Sequence, residues 1–128
     1  MYVLITNNSR FQDFAHPDCE LVMVQGTGQA VLEKGRDLVH QGYHLLNGPL
    51  YGNFRPYHQP FRTLLLTKGD GVDAYSLDLI EGAVAMYRDC QWPHVTPENC
   101  DPHFVEDYRF IDRELMLETL RAHNLLPR

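Results

Sequence analysis

Short polar residues and glycines follow three predicted strands, and they are the first groups in this sequence that could bind a ligand. Carboxamide side chains and free backbone N–H groups can hydrogen-bond an anion or a polar small molecule. In an open parallel sheet, ligands bind beyond the carboxyl ends of the strands, where such groups come together. The sequence therefore predicts ligand-binding residues at three strand ends: Asn7 and Asn8, Thr27 and Gly28, and Asn47 and Gly48.

These strand-end residues also have a structural interpretation, which the sequence leaves open. The Thr27 hydroxyl can cap the helix that follows it by accepting a hydrogen bond from an orphan backbone N–H group. This capped turn is the favoured interpretation of Thr27-Gly28, because the sequence there lacks the GxGxxG fingerprint and the lysine of a phosphate-binding loop. Asn7 and Asn8 could instead form an Asx-turn that ends the first strand.

The segment between the third and fourth predicted strands, residues 45–66, is the strongest candidate for a binding loop. It is too rich in Gly and Pro for a helix, and loops of this length are uncommon unless they are functional. Aromatic and arginine side chains carry much of the binding energy in small interfaces. We predict that Tyr51, Asn53, Arg55 and Tyr57 contact the ligand. The alternative is that the aromatic side chains only pack this segment against its own domain.

Candidates for catalysis are weak. Asp37 and His40 lie three residues apart on one face of a predicted helix, so the carboxylate could orient the imidazole. A surface or capping role is the commoner one for a histidine at such a position. The sequence contains no GxSxG nucleophile elbow and no two histidines at metal-ligand spacing. We therefore predict no metal and no cofactor.

Strands alternate with helices along the chain. Short apolar runs that end in turn residues predict strands at residues 2–5, 20–24, 43–46 and 61–67. Helical periodicity predicts helices at residues 28–41, after a cap at Ser76 and after a cap at Asp112. Gly35 lies inside the first helix, which close packing on the sheet would explain. We predict an α/β fold with a mostly parallel sheet of about four strands and about three main helices.

Length and charge restrict the class of protein. The chain has 128 residues, which predicts a single domain over residues 1–128. Its net charge of −6 disfavours binding to nucleic acid or to an anionic membrane surface. The first residues do not resemble a signal peptide and no apolar run is long enough to span a membrane, so we expect a cytoplasmic protein. Three cysteines without a CxxC pair indicate reduced thiols, and a homodimer is the base-rate expectation.

Several short motifs are spread over nearly the whole chain. They are Thr6-Asn7-Asn8, Arg36-Asp37, Val39-His40, Gly42, Leu45-Leu46, Pro49-Leu50, Gly52, Pro56 and, before the predicted final helix, Ile111-Asp112. In these motifs the sequence resembles the GrdX family, small proteins known mainly by their association with glycine, betaine or sarcosine reductase genes of anaerobic bacteria. The family tends to a THPL-like sequence where this chain has Asn47-Gly48-Pro49-Leu50. No role for that threonine or histidine carries over to this chain.

The resemblance implies a domain and a set of positions, but no reaction. We expect an accessory or small-molecule-binding protein linked to glycine or betaine reductase metabolism. One alternative is a small enzyme that acts on an anionic metabolite, with Arg36, Asp37 and His40 near the binding edge. Another is a protein–protein adaptor that uses residues 45–66 as its hot spot. The expected partner is thus a small anionic metabolite or a protein.

Overall fold

A four-stranded sheet and three long helices make up most of the protein in the computed structural model, which describes residues 1–50 and 55–127. The strands are β1 (Tyr2–Thr6), β2 (Cys19–Met23), β3 (Tyr43–Leu45) and β4 (Thr63–Lys68). The helices are α1 (Gly28–His40), α2 (Ala74–Asp89) and α3 (Val105–Ala122), and short 3-10 helices cover Ser9–Phe11 and Pro56–His58. None of the helices in the described ranges is long and apolar enough to cross a membrane.

The sheet is mixed, so the prediction of a mostly parallel sheet is wrong. Its order is β2-β1-β4-β3, with β1 parallel to β2 and β4 antiparallel to both of its neighbours. A parallel pair of strands needs a crossover, usually a helix, that carries the chain back across the sheet. In its described part, the segment between β3 and β4 contains only the 3-10 helix Pro56–His58. The chain therefore stays at the edge where β3 ends, and β4 runs back from there.

Although β4 is reversed, the other three strands point in the same direction. β3 and β1 are both antiparallel to β4, and β2 is parallel to β1. The last residues of β1 and β2 therefore lie at one edge of the sheet together with the first residues of β4, whereas β3 ends before this edge, because Leu45 pairs with Leu66, which is level with Val3. We call this the carboxyl edge. The residues that follow β1 and β2 are thus adjacent at this edge, whereas those that follow β3 lie on the far side of β4, where Asn47 contacts Thr63 and Leu65.

Helices cover both faces of the sheet because each central strand is apolar on both sides. Val3 and Ile5 of β1 contribute to a core with α1 and α2, whereas Leu4 of β1 packs with Met116 and Leu120 of α3. This division follows the alternation of side chains along a strand. Cys19 is also buried in the core on the α3 side.

The ends of α1 follow the sequence prediction. Thr27 caps its first turn, since the Thr27 Oγ1 atom accepts a hydrogen bond from the Ala30 N–H group at 3.1 Å. After the last turn, Gly42 has a φ of 100°, a left-handed conformation that glycine adopts without strain. Gly35 lies against the sheet, where a Cβ atom would stand only 2.5 Å from Leu64 Cδ1.

The starts of α2 and α3 differ from prediction. The cap of α2 is Asp73, whose carboxylate accepts hydrogen bonds from the N–H and the hydroxyl of Ser76. α3 begins at Val105 without a side-chain cap, so the predicted cap at Asp112 is wrong and Ile111-Asp112 lies within the helix.

Candidate functional site

A cleft of about 470 Å³ opens at the carboxyl edge, beside the ends of β1 and β2. Its wall comes from the Ser9–Phe11 turn, the approach to α1, the loop at residues 96–98 and the first half of α3. Asn7 and Thr27, two of the predicted binding residues, lie in this wall. Phe61 and Arg109 form another part of it, and Glu98 adds a carboxylate.

The Asn7 carboxamide fixes one side of the cleft by binding three main-chain groups. Its Nδ2 atom donates to the carbonyl oxygens of Gly26, at 3.0 Å, and Pro60, at 2.9 Å. Its Oδ1 atom accepts from the Arg62 N–H group at 2.9 Å. The carboxamide thus joins the turn before α1 to the start of β4. Both N–H donors of Asn7 are used in this way, so it shapes the cleft and leaves only an acceptor lone pair for a ligand.

Thr27 and Gly28 bring the N-terminus of α1 to the cleft. Thr27 contributes to the wall, while its hydroxyl accepts the hydrogen bond that caps the helix. Gly28 is buried behind the wall, where a Cβ atom would stand 2.9 Å from Arg62 Cγ and 3.4 Å from the Gln59 carbonyl oxygen. A glycine at this position therefore allows the helix to begin directly against β4. This contact explains Gly28 without a ligand.

Arg62 lies under this junction as a fully buried arginine. Its Nε atom donates to the Tyr87 hydroxyl at 3.1 Å, and its guanidinium carbon lies 5.7 Å from the centre of that ring. Burial raises the pKa of Tyr87, although the Arg62 charge acts in the opposite direction. The neutral hydroxyl is therefore available as the acceptor, and the pair ties the start of β4 to α2.

Arg109 is the cationic group in the wall of the cleft, and it was not predicted. Its guanidinium carbon lies 4.9 Å from the centre of the Phe61 ring, and its side chain is 26% exposed. Its Nη1 atom donates to Glu106, which also accepts from Arg10. Hydrogen bonds from Arg10 and Arg109 lower the pKa of Glu106, so this carboxylate is ionised near neutral pH. The Nε atom of Arg109 is buried and has no hydrogen-bond partner among the described residues.

A buried polar cluster holds the Arg109 segment of α3 against the sheet. The Asn8 Nδ2 atom donates to the Arg109 carbonyl oxygen at 2.9 Å and to Asp112 Oδ2 at 3.0 Å. The Thr63 hydroxyl donates to the same carboxylate oxygen at 2.7 Å and lies 2.8 Å from the Thr6 hydroxyl. Asn8, Asp112 and both threonines are buried. Asp112, which was predicted to cap the last helix, lies within α3 and is buried against the sheet.

The sequence contained a signal for this inward-facing surface of α3. Arg109, Asp112, Met116 and Leu120 follow one another at intervals of three or four residues, the spacing of a single helix face. Because Arg109 and Asp112 share a helix face with the apolar Met116 and Leu120, the spacing predicts that all four side chains are directed at the core. The prediction missed this because it started the helix at Asp112.

The described part of residues 45–66 has mainly structural contacts. Asn47 lies between β3 and β4: its Nδ2 atom donates to the Thr63 carbonyl oxygen and its Oδ1 atom accepts from the Leu65 N–H group. Gly48 is exposed, with open space around the position of a Cβ atom. Arg55 donates to the Tyr57 hydroxyl at 3.0 Å. These four residues are not in the wall of the cleft. The predicted ligand contacts Tyr51 and Asn53 lie outside the described residues.

Asp37 and His40 are far from the cleft. α1 begins at the carboxyl edge and its 13 residues span about 20 Å, which places His40 at the opposite edge. There the His40 Nε2 atom lies 2.9 Å from Glu81 Oε1 of α2, and both side chains are exposed. The structure therefore does not bring His40 together with Asn7 or Arg109.

Comparisons with known proteins give one match. The family model described as GrdX-like protein matches residues 3–121 of the chain. No curated protein and no solved structure matches the chain.

Proposed function

The chain belongs to the GrdX-like protein family, and from this premise we propose that it is an accessory domain that binds a small molecule in the cleft at the carboxyl edge. The family resemblance links this role to glycine or betaine reductase metabolism. The single observation that carries the proposal is the cleft itself, where the half-buried Arg109 guanidinium lies over Phe61. Ligand sites usually combine an apolar wall with a few fixed polar groups in this way.

The chemistry of the wall supports a small polar ligand with an apolar part. Met23, Val24 and Phe61 supply apolar surface, and Arg109 supplies positive charge. The position supports the same conclusion, because α/β sheets bind ligands beyond the carboxyl ends of their strands.

Binding is better supported than catalysis. The enzyme alternative depends on Asp37 and His40 at the binding edge, and both belong to the far half of α1. The nearest partner of the His40 imidazole is Glu81 of α2, in an exposed pair. A protein–protein adaptor is the remaining alternative, and the experiment below separates it from ligand binding.

The test is a thermal-shift screen of the wild-type protein against amino acids, phosphate esters and nucleotides at millimolar concentration. A ligand that binds only the native state raises the unfolding temperature as its concentration increases. We expect at least one class to do so. A screen without a single stabilising ligand, together with a protein that co-purifies with the chain, would favour the adaptor and reject the proposal.

A pair of variants locates the binding site of any ligand found. Gln25→Trp fills the cleft from an exposed position in its wall and should abolish the stabilisation. Gln41→Trp makes the same change at an exposed position beyond the other end of α1 and should leave it intact. Equal loss in the two variants, or in neither, would place the ligand elsewhere.

A further inference from the structure

One edge of the Arg109 guanidinium group has no hydrogen-bond acceptor among the described residues. Glu106 accepts from Nη1, at the end of the side chain. The Nε and Nη2 atoms have no hydrogen-bond acceptor within residues 1–50 and 55–127, and Nε is buried. A buried N–H group without an acceptor is destabilising, and such groups are rare in native structures. The free edge carries two parallel N–H donors, the arrangement that binds a carboxylate through both oxygens.

The charges linked directly to Arg109 match an anion with a single negative charge better than a dianion. Arg10 and Arg109 share the Glu106 carboxylate, so the three linked side chains carry one net positive charge. The hydrogen bonds from the two arginines lower the pKa of Glu106, which keeps it ionised. Glu98 adds another carboxylate to the wall and opposes a dianion such as a phosphate ester. One carboxylate group can neutralise the charge that remains on Arg109.

From these two observations, and resting on the proposed function, we propose that the cleft binds a small monocarboxylate, which Arg109 holds side-on through Nε and Nη2. The two carboxylate oxygens supply the acceptors that these atoms lack. The hydrocarbon part of the ligand packs against Met23, Val24 and Phe61. The backbone of Arg109 is held in place from the other side, because the Asn8 Nδ2 atom donates to its carbonyl oxygen.

The test is an NMR titration that observes the Nε–H resonances of the arginine side chains. The probes are propionate, the neutral propionamide of nearly the same shape, and inorganic phosphate. Arg109→Lys identifies the Arg109 resonance by its disappearance. We expect propionate to shift this resonance to saturation, because a hydrogen bond forms at Nε, and propionamide and phosphate to leave it in place.

Two variants separate the effect of the two parallel N–H donors of Arg109 from the effect of its positive charge. Arg109→Lys keeps the positive charge but loses the two parallel donors, so we expect propionate to bind at least about tenfold more weakly. Arg113→Lys is the matched control on the same helix, since Arg113 lies outside the wall of the cleft and only 3.7 Å from Glu114. The affinity for propionate should not change in this control.

The outcomes distinguish failure of this inference from failure of the proposed function. If a ligand from the thermal-shift screen is lost in Gln25→Trp while propionate leaves the Arg109 resonance unmoved, the cleft binds ligands but the monocarboxylate inference is wrong. If propionamide or phosphate shifts that resonance as propionate does, the inference also fails. If no compound shifts resonances of the cleft or stabilises the protein, both proposals are rejected.

Discussion

Three asparagines at the carboxyl edge use their side chains in place of main-chain groups. Asn7 and Asn47 bind the backbone of β4 and of the residues leading into it, one from each side. Asn8 does the same for α3, through the Arg109 carbonyl oxygen. A carboxamide carries the same donor and acceptor types as a peptide group, so it can satisfy backbone atoms where regular strand pairing stops. These side chains determine the position of the cleft wall.

Asn8 should be the most important of the three for stability. It is fully buried, and Asn8→Ala removes its hydrogen bonds to Arg10 N–H, to the Arg109 carbonyl oxygen and to the Asp112 carboxylate. We expect the variant to lose about 3 kcal/mol of unfolding free energy, because a buried carboxylate loses a donor and the Arg10 N–H group and the Arg109 carbonyl oxygen each lose a hydrogen bond. Urea denaturation followed by circular dichroism measures the loss.

Asn99→Ala is the control for this prediction. Asn99 also binds backbone groups, the Thr96 N–H and the His94 carbonyl oxygen, but it does so at an exposed site where water can replace it. We expect it to cost less than about 1 kcal/mol. A similar loss in the two variants would show that burial of the Asn8 cluster contributes little.

Individual residues also show the limit of prediction from sequence. The strand-end asparagines were identified as candidates, but their partners were not, since Asn7 and Arg62 are 55 positions apart. A carboxamide that binds backbone and one that binds a ligand have the same residue type and the same place after a strand. Arg109 was missed because the predicted helix began only at Asp112, and its contacts with Phe61 and Asn8 join distant parts of the chain.

At the scale of elements, the contact between α1 and the sheet depends on Gly35. A Cβ atom there would stand 2.5 Å from Leu64 Cδ1, and Leu64 is fully buried. Gly35→Ala should therefore destabilise the protein by about 2 kcal/mol, because overpacking of a filled core outweighs the better helix propensity of alanine. The urea midpoint of the variant measures this change.

The same substitution in α2 should have the opposite sign. Gly82 is exposed, and a Cβ atom there would have open space around it. Gly82→Ala should stabilise the protein by about 0.5–1 kcal/mol through helix propensity alone. If Gly35→Ala were also stabilising, the close approach of α1 to β4 would not be a constraint on the fold.

Most elements could be predicted from sequence because their signals are local. The apolar runs of β1 and β2 and the Thr27 cap of α1 lie within a few residues of the element that they specify. The direction of β4 is not a local property, since it depends on whether the preceding segment crosses the sheet. The start of α3 was missed because no capping side chain marks it.

At the scale of the whole molecule, the helices on each face of the sheet cover a separate hydrophobic core. The candidate site lies at the carboxyl edge, where residues from both helical layers come together. α1 contributes its N-terminus to the cleft and α3 contributes Arg109 from the opposite layer. The sheet between them is joined to α3 by the Asn8–Asp112–Thr63 contacts. The geometry of the cleft therefore depends on the packing of the entire domain.

Cys19 provides a probe of this packing, because it is buried between the sheet and α3. Burial raises the pKa of its thiol to about 11. At pH 8 about 0.1% of such a thiol is ionised, and the thiolate is the reactive form. In a Cys90→Ser/Cys100→Ser double variant, which leaves only Cys19, we expect a disulfide reagent to modify Cys19 only in the unfolded state, at a reagent concentration low enough that refolding is faster than the reaction. The reaction is followed by absorbance in increasing urea below the midpoint.

The dependence of the reaction rate on urea shows whether Cys19 becomes exposed by global unfolding or by local fraying at the edge of the sheet. If exposure requires global unfolding, the logarithm of the rate rises with urea at the slope of the equilibrium transition. β2 is an edge strand that pairs only with β1, so local fraying is the competing route and would give a much smaller slope. We expect the global slope, because Cys19 packs in one core cluster with Leu4, Leu65 and Leu117.

In wild-type protein the half-buried Cys90 should react with the reagent before Cys19 does, and Cys90→Ser should remove that fast phase.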